Sequence, residues 1–231
     1  SAPAFVVCDG DNIAITASGG NSYAWSPSAS LNSNIGSNVL ASPLTATSYT
    51  VVGTATNGCK DSSDITISVN PLPILNVTGS NITCEGQPVS LLVSGANTYI
   101  WSPSTGLDTT AGNIVSATPS LTQAYTIVGT DLNQCEGLIN HTISVLPNPN
   151  ISISTSTDSI CIGNTAVLTA NGALTYSWSP SFSLNTNTGN IVSAIPTTTT
   201  IYSVLGTAIN NCASTSLITI NVNALPILDV F

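Results

Sequence analysis

The chain has 231 residues but only eleven charged side chains, ten acidic ones and the single basic residue Lys60, for a formal net charge of -9 and a pI near 4.1. With no Arg and one Lys it cannot neutralise phosphates, which excludes nucleic-acid binding and docking on anionic membranes and leaves anionic substrates without a clamp. The surface is hydroxyl and amide (33 Ser, 32 Thr, 24 Asn), while a hydrophobic fraction of 42% supplies enough Val, Ile and Leu to exclude disorder.

In chain order, a Cys8-Asp9-Gly10 opening is followed by Asn12 to Ala17, whose alternating β-branched residues predict a strand. Tyr23-Ala24-Trp25 then leads into Ser26-Pro27, and the parity of Tyr23 and Trp25 places both rings on one sheet face. Between Ser28 and Val39 the chain is Ser, Asn and Gly and reads as a long loop; Asn38 to Ser42 reads as the one strand before the next ring. Ser48 to Gly53 and Ile65 to Val69 complete the pattern, and nothing has the period of a helix.

The same pattern then recurs. Trp25, Trp101 and Trp178 stand 76 and 77 residues apart, and the same steps relate Tyr23, Tyr99 and Tyr176, or Gly53, Gly129 and Gly206. Six or seven short strands in about 77 residues predict an all-β fold, a tandem array of three immunoglobulin-like β-sandwich domains. Proline-bearing linkers at Pro71-Leu72-Pro73, Pro147-Asn148-Pro149 and Ala224-Leu225-Pro226 divide the chain into repeats 1–72, 73–148 and 149–225, with 226–231 starting a further one. No stretch is apolar for the roughly 18 residues of a membrane helix, no signal peptide opens the chain and there is no Met; the expectation is an internal or processed piece of something longer.

Ser94 to Pro103 (SGANTYIWSP), Ala124 to Cys135 (AYTIVGTDLNQC) and the Pro-x-Pro linkers are similar to the immunoglobulin- or PKD-like tandem repeats of large type IX-secreted surface adhesins of Bacteroidetes, the SprB-like gliding adhesins. Trp-Ser-Pro stands where typical PKD repeats carry Trp-Asp-Phe-Gly-Asp-Gly. The resemblance implies an extracellular, cell-surface protein whose partners are neighbouring repeats of its own long chain or identical chains in a filament.

Six cysteines, with no Cys-x-x-Cys pair, read as disulfides of an oxidising compartment. Their constant spacing of 51 residues predicts pairing within repeats: Cys8 with Cys59, Cys84 with Cys135, Cys161 with Cys212. Topology offers the alternative. With a full immunoglobulin strand count, Cys8 and Cys59 would lie at opposite ends of a sandwich, and a cysteine would reach into the adjoining repeat, for example Cys8 to Cys135. The single strand seen at Asn38 to Ser42 favours the first pairing.

No catalytic, cofactor or metal site is expected. His141 is the only histidine and aligns with Ile65 and Ile218, an ordinary strand position without a base partner or second imidazole. No acidic position persists through three repeats, so any calcium site is confined to Asp9, Asp11, Asp61 and Asp64 of the first. The three tryptophans read as core residues ahead of sugar platforms. Sequons at Asn76, Asn81, Asn140 and Asn150 carry little weight in a bacterial protein, whereas Asp108-Thr109-Thr110 and Asp158-Ser159-Ile160 are similar to the O-glycosylation acceptors of Bacteroidetes and make Thr109 and Ser159 candidates.

Two functions fit these residues. One is structural: repeats of a surface filament or adhesin stalk, serving reach and stiffness. The other is recognition of surface glycans or abiotic surfaces by many weak contacts. A spacer attached to a secreted hydrolase is a third. The loops lack aromatics apart from Phe182, which favours structure.

Overall fold

The computed structural model describes residues 4–229, and every regular element is a strand. The first repeat contributes β1 (Ala4–Cys8), β2 (Ile13–Thr16), β3 (Ser22–Ser26), β4 (Asn38–Ala41), β5 (Thr47–Thr54) and β6 (Lys60–Asn70). The second contributes β7 (Asn76–Thr78), β8 (Ile82–Cys84), β9 (Val89–Ser94), β10 (Thr98–Ser102), β11 (Ile114–Ala117), β12 (Gln123–Thr130) and β13 (Glu136–Leu146). The third contributes β14 (Ser152–Thr155), β15 (Ser159–Cys161), β16 (Ala166–Asn171), β17 (Thr175–Ser179), β18 (Ile191–Ala194), β19 (Thr200–Thr207) and β20 (Ala213–Asn223).

The third repeat shows the plan in full. One sheet runs β15-β20-β19-β17 and the other β14-β16-β18, an immunoglobulin-like sandwich in which the short β15 pairs parallel to the last strand and all other pairs are antiparallel. The first repeat has the sheets β1-β6-β5-β3 and β2-β4, again with β1 parallel to β6. In the second, β8 lies parallel to β13, β10 antiparallel to β12, and β11-β9-β7 form the other sheet. The all-β tandem architecture is as the sequence predicts.

Contact density divides the chain into two compact units whose border crosses the second repeat. One runs to Gly79 and takes in Ser90–Ala117 and Ala124–His141; the other takes in Ser80–Val89, Thr118–Gln123 and the chain from Thr142 onward.

Each core is built from the period-two positions. In the first repeat Ile15, Trp25, Val39, Ala41, Tyr49 and Ile67 are buried together. In the third, Leu168, Trp178, Val192, Tyr202 and Ile220 do the same, and the second buries the counterparts Leu91, Trp101, Val115, Tyr125 and Ile143. The tryptophans are 4%, 1% and 2% exposed, so they are core residues and not sugar platforms. A ring of this size removes roughly 150–250 Å² from water, on the order of 4–6 kcal/mol at about 25 cal/mol per Å². Each indole N–H is satisfied by a glycine carbonyl: Gly36 at 2.9 Å, Gly112 at 3.0 Å and Gly189 at 2.9 Å.

Those glycines belong to the segment that the sequence reads as a loop. After β3 the chain turns at a cis Ser26-Pro27 bond and runs back along the sandwich, bridging β4 at Leu31–Ala41 and β3 at Ala24–Ile35. The Trp25 N–H donates to Asn34 O (2.8 Å), and Asn32 holds Leu40 through both its main-chain N–H (3.0 Å) and its side-chain oxygen (2.7 Å). The same bridges recur at Ile100–Ala111 and Leu107–Ala117, and at Ser177–Thr188 and Leu184–Ala194. The segment therefore traverses the sandwich like a strand, although too irregular to be one, and β4 begins at the end of the sandwich opposite to where β3 stops.

Candidate functional site

This extra traverse decides the cysteine chemistry. Cys8 closes β1 and is in register with Asn70, the last residue of β6, whereas Cys59 immediately precedes Lys60, the first. Eleven residues of strand separate the two positions, about 36 Å at roughly 3.3 Å per residue, far beyond the Cα spacing of under about 7 Å that a disulfide allows. Pairing within repeats is thereby overturned. The structure pairs Cys8 with Cys135 (Cα–Cα 5.5 Å) and Cys84 with Cys212 (5.6 Å), in each case the first cysteine of one repeat with the second cysteine of the next. Cys59 and Cys161 are free thiols and exposed.

A second contact accompanies each bridge. In the linker after β6, Leu75 is 8% exposed and fills the space over Gly129 and Ala96: a Cβ on Gly129 would stand 2.6 Å from Leu75 Cδ2 and 2.9 Å from Ala96 Cβ. Gly95 has φ +109°, and its missing side chain admits the Ile74 carbonyl, which would lie 2.0 Å from a Cβ there. The linker after β13 repeats the arrangement. Ile151 lies over Gly206 and Ala173, its Cδ1 2.3 Å from where a Cβ on Gly206 would stand, and the Asn150 carbonyl approaches Gly172, φ +103°, to 1.9 Å of its Cβ position. The Asn210 side-chain amide also donates to the linker carbonyl of Pro147 at 3.0 Å. Each junction thus combines an aliphatic plug, a glycine floor and a disulfide. The sequence signal is a glycine at the next-to-last position of a strand, Gly129 of β12 or Gly206 of β19, where a side chain is otherwise expected.

The other candidate residues are not brought into a site. Asp9 and Asp11 follow the end of β1, with Asp11 accepting from the Cys8 N–H (3.3 Å), while Asp61 and Asp64 lie near the start of β6, where Asp64 accepts from the Thr50 hydroxyl (2.6 Å). The parallel pairing that separates Cys8 from Cys59 separates these carboxylates too, so they form no common cation cage. Among the described residues no group of three His, Cys, Asp or Glu could hold a metal ion, and no helix is long and apolar enough to cross a membrane. His141 sits half-buried on β13 with Nε2 unpartnered.

Thr109 is exposed on the return segment, its hydroxyl exchanging hydrogen bonds of 3.2 Å with the main chain of Ala111. Its neighbour Asp108 accepts from the Ser116 N–H at 2.8 Å, as Asn32 and Asn185 do at the matching places, so this acidic residue has a structural task of its own. Ser159 is half-buried in β15 and accepts from the Asn223 amide at 2.9 Å.

No protein-family model matches the chain, and no curated protein sequence matches it. Among solved structures it is similar to a three-domain immunoglobulin fragment of titin carrying E-to-A mutations (13% identity, 96% of this chain and 97% of that one, TM-score 0.39). It is also similar to the mouse nectin-like molecule 4 ectodomain, Ig1 to Ig3 (13% identity, 98% and 99%, TM-score 0.35). With TM-scores this low neither likeness bears on function, and the immunoglobulin-like assignment stands on strand order and pairing.

Proposed function

We propose that the chain is a non-catalytic structural segment of a long extracellular bacterial surface filament or adhesin stalk, built from repeats 1–72, 73–148 and 149–225 and resembling the SprB-like gliding adhesins. Its working partners are neighbouring repeats of its own kind. The offset disulfides carry this reading. Two bridges in one chain also suit an oxidising, extracellular compartment.

Under tension a bridge within a repeat would protect only that repeat. The offset pairing redirects the load. From Cys8 the covalent path crosses to Cys135, returns along the chain to Cys84 and crosses to Cys212, so only the 51 residues between Cys84 and Cys135 (135 − 84) can be drawn out of the 204 between Cys8 and Cys212 (212 − 8). At about 3.5 Å per extended residue that is a contour of roughly 180 Å against roughly 700 Å for the reduced chain. Single-molecule pulling tests it: the reading expects the short contour in oxidising buffer and the long one after reduction, and full extension without reductant would contradict it. Thr109, exposed and free of tertiary partners, is the better placed of the two proposed O-glycan acceptors.

A further inference from the structure

The internal junctions define what a complete docking site contains, and the first repeat presents one with its faces open. Gly19, Gly20 and Gly53 occupy the places of Gly95, Ala96 and Gly129, and of Gly172, Ala173 and Gly206. They line, with Tyr23, Cys59 and Lys60, a cavity of about 550 Å³. Gly53 is informative. Its φ lies outside the left-handed region and a Cβ would meet nothing closer than Tyr23 Cε1 at 3.5 Å, an ordinary contact. Nothing within the repeat requires glycine there, and glycine costs stability inside a strand. At Gly129 and Gly206 the same position is cleared for Leu75 and Ile151.

The opposite end of the described chain carries the matching plug. Leu228 aligns with Leu75 and Ile151 but is 83% exposed. Cys161 aligns with the bridged Cys8 and Cys84, and Cys59 with the bridged Cys135 and Cys212, which are fully buried while Cys59 is exposed. Asn57 aligns with Asn210, and its side-chain oxygen already accepts from the Cys59 N–H (3.1 Å) as that of Asn210 does from Cys212 (3.0 Å), while the Asn210 amide N–H₂ donates to the linker carbonyl of Pro147.

We propose that the Gly19/Gly53 cavity is a docking site for the Leu225–Asp229 segment of a second copy of this chain, locked by a disulfide between Cys161 of the donor and Cys59 of the acceptor. It rests on the structural reading above. Leu228 fills the space over Gly53, and the carbonyl of Ala224 takes the Asn57 amide. The thiols are oxidised by a low-molecular-weight disulfide: the Cys161 thiolate attacks it and expels one thiol, then the Cys59 thiolate attacks the mixed disulfide and expels the second, so two protein thiols are oxidised and one disulfide reduced. The contact joins different faces of the two copies, so each copy can donate through one face and accept through the other.

The test uses full chains with one free thiol each. Cys59→Ser retains only Cys161, and Cys161→Ser retains only Cys59. Exposed to oxidised glutathione, each alone should stay monomeric, while the mixture should give a covalent dimer whose linked peptides contain Cys161 and Cys59. Placing Leu228→Asp on the first variant should lower the dimer yield at least ~10-fold, because docking supplies the effective concentration of the thiols. That side chain is exposed, so the folded chain tolerates the change. Gly53→Leu on the second variant should do the same by filling the cavity. Dimers from either variant alone, or a mixed dimer indifferent to Leu228→Asp, would overturn the proposal. So would no dimer at all from chains in which Cys8–Cys135 and Cys84–Cys212 map correctly; loss of those two pairs would instead defeat the structural reading itself.

Discussion

Leu75 and Gly129 touch across the first junction so closely that a single methyl group on the glycine would overlap the leucine, at 2.6 Å from its Cδ2. The same methyl would also stand 2.9 Å from Ala96 Cβ and 3.1 Å from Leu75 Cδ1, so accommodating it means displacing both neighbours. Gly129→Ala should therefore destabilise by ~1–3 kcal/mol through overpacking. Gly53→Ala, the same change at the open counterpart, should be neutral or stabilise by up to ~1 kcal/mol. Denaturant midpoints of the two variants check the contrast; equal effects would show that the junction plug is not seated as described.

The two bridges should dominate stability. Cys135→Ser opens a loop of 127 residues, for which the chain-entropy model gives about 5 kcal/mol and measured losses of native disulfides run about 2–5 kcal/mol. Cys59→Ser, at an exposed free thiol, should change stability by less than ~0.5 kcal/mol. Thermal melts of both variants under oxidising conditions check this.

Trp101→Phe removes the indole N–H from the Gly112 carbonyl (3.0 Å) at a site 1% exposed, and leaves that acceptor unpaired. The expected cost is about 1–3 kcal/mol from the hydrogen bond, with further loss from the smaller ring. Amide exchange at Trp101, whose N–H donates to Thr110 O (2.8 Å), should accelerate with it, because both bonds hold the return segment.

Burial pushes the Tyr125 phenol above the usual tyrosine range, while its hydroxyl donates to Thr105 O at 2.8 Å. A group whose folded pKa is raised keeps its full stabilising effect below the unfolded value, near 10, and loses it as pH rises through the folded value. Stability should thus be insensitive to this residue below about pH 9 and fall in the alkaline range above about pH 10, a loss that Tyr125→Phe should abolish. Alkaline denaturation followed by circular dichroism checks it.

The sequence makes the repeats, the strand parity and the tryptophan cores legible because each is a local or periodic signal. Ile15, Val39 and Ile67 show their burial by alternation alone. It hides the return segment from Pro27 to Ser37, whose bridges through Leu31 and Ile35 follow no period and whose Asn and Gly composition is that of a loop. Without that one traverse, Cys8 and Cys59 fall at the same end of the sandwich and the wrong pairing follows. The parallel partnership of β1 with β6 is hidden as well, since strand-pair direction leaves no mark in the residues of either strand. Gly53, Gly129 and Gly206 are visible as repeats, but their purpose emerges only once a linker side chain is seen above two of them.

The offset staple is the centre of this account, and disulfide mapping tests it most directly. The oxidised chain, alkylated and cleaved at its acidic residues without reduction, should give linked peptides containing Cys8 with Cys135 and Cys84 with Cys212, with Cys59 and Cys161 alkylated. Peptides joining Cys8 to Cys59 and Cys84 to Cys135, with Cys161 bridged to Cys212 inside the one peptide that holds both, would contradict it.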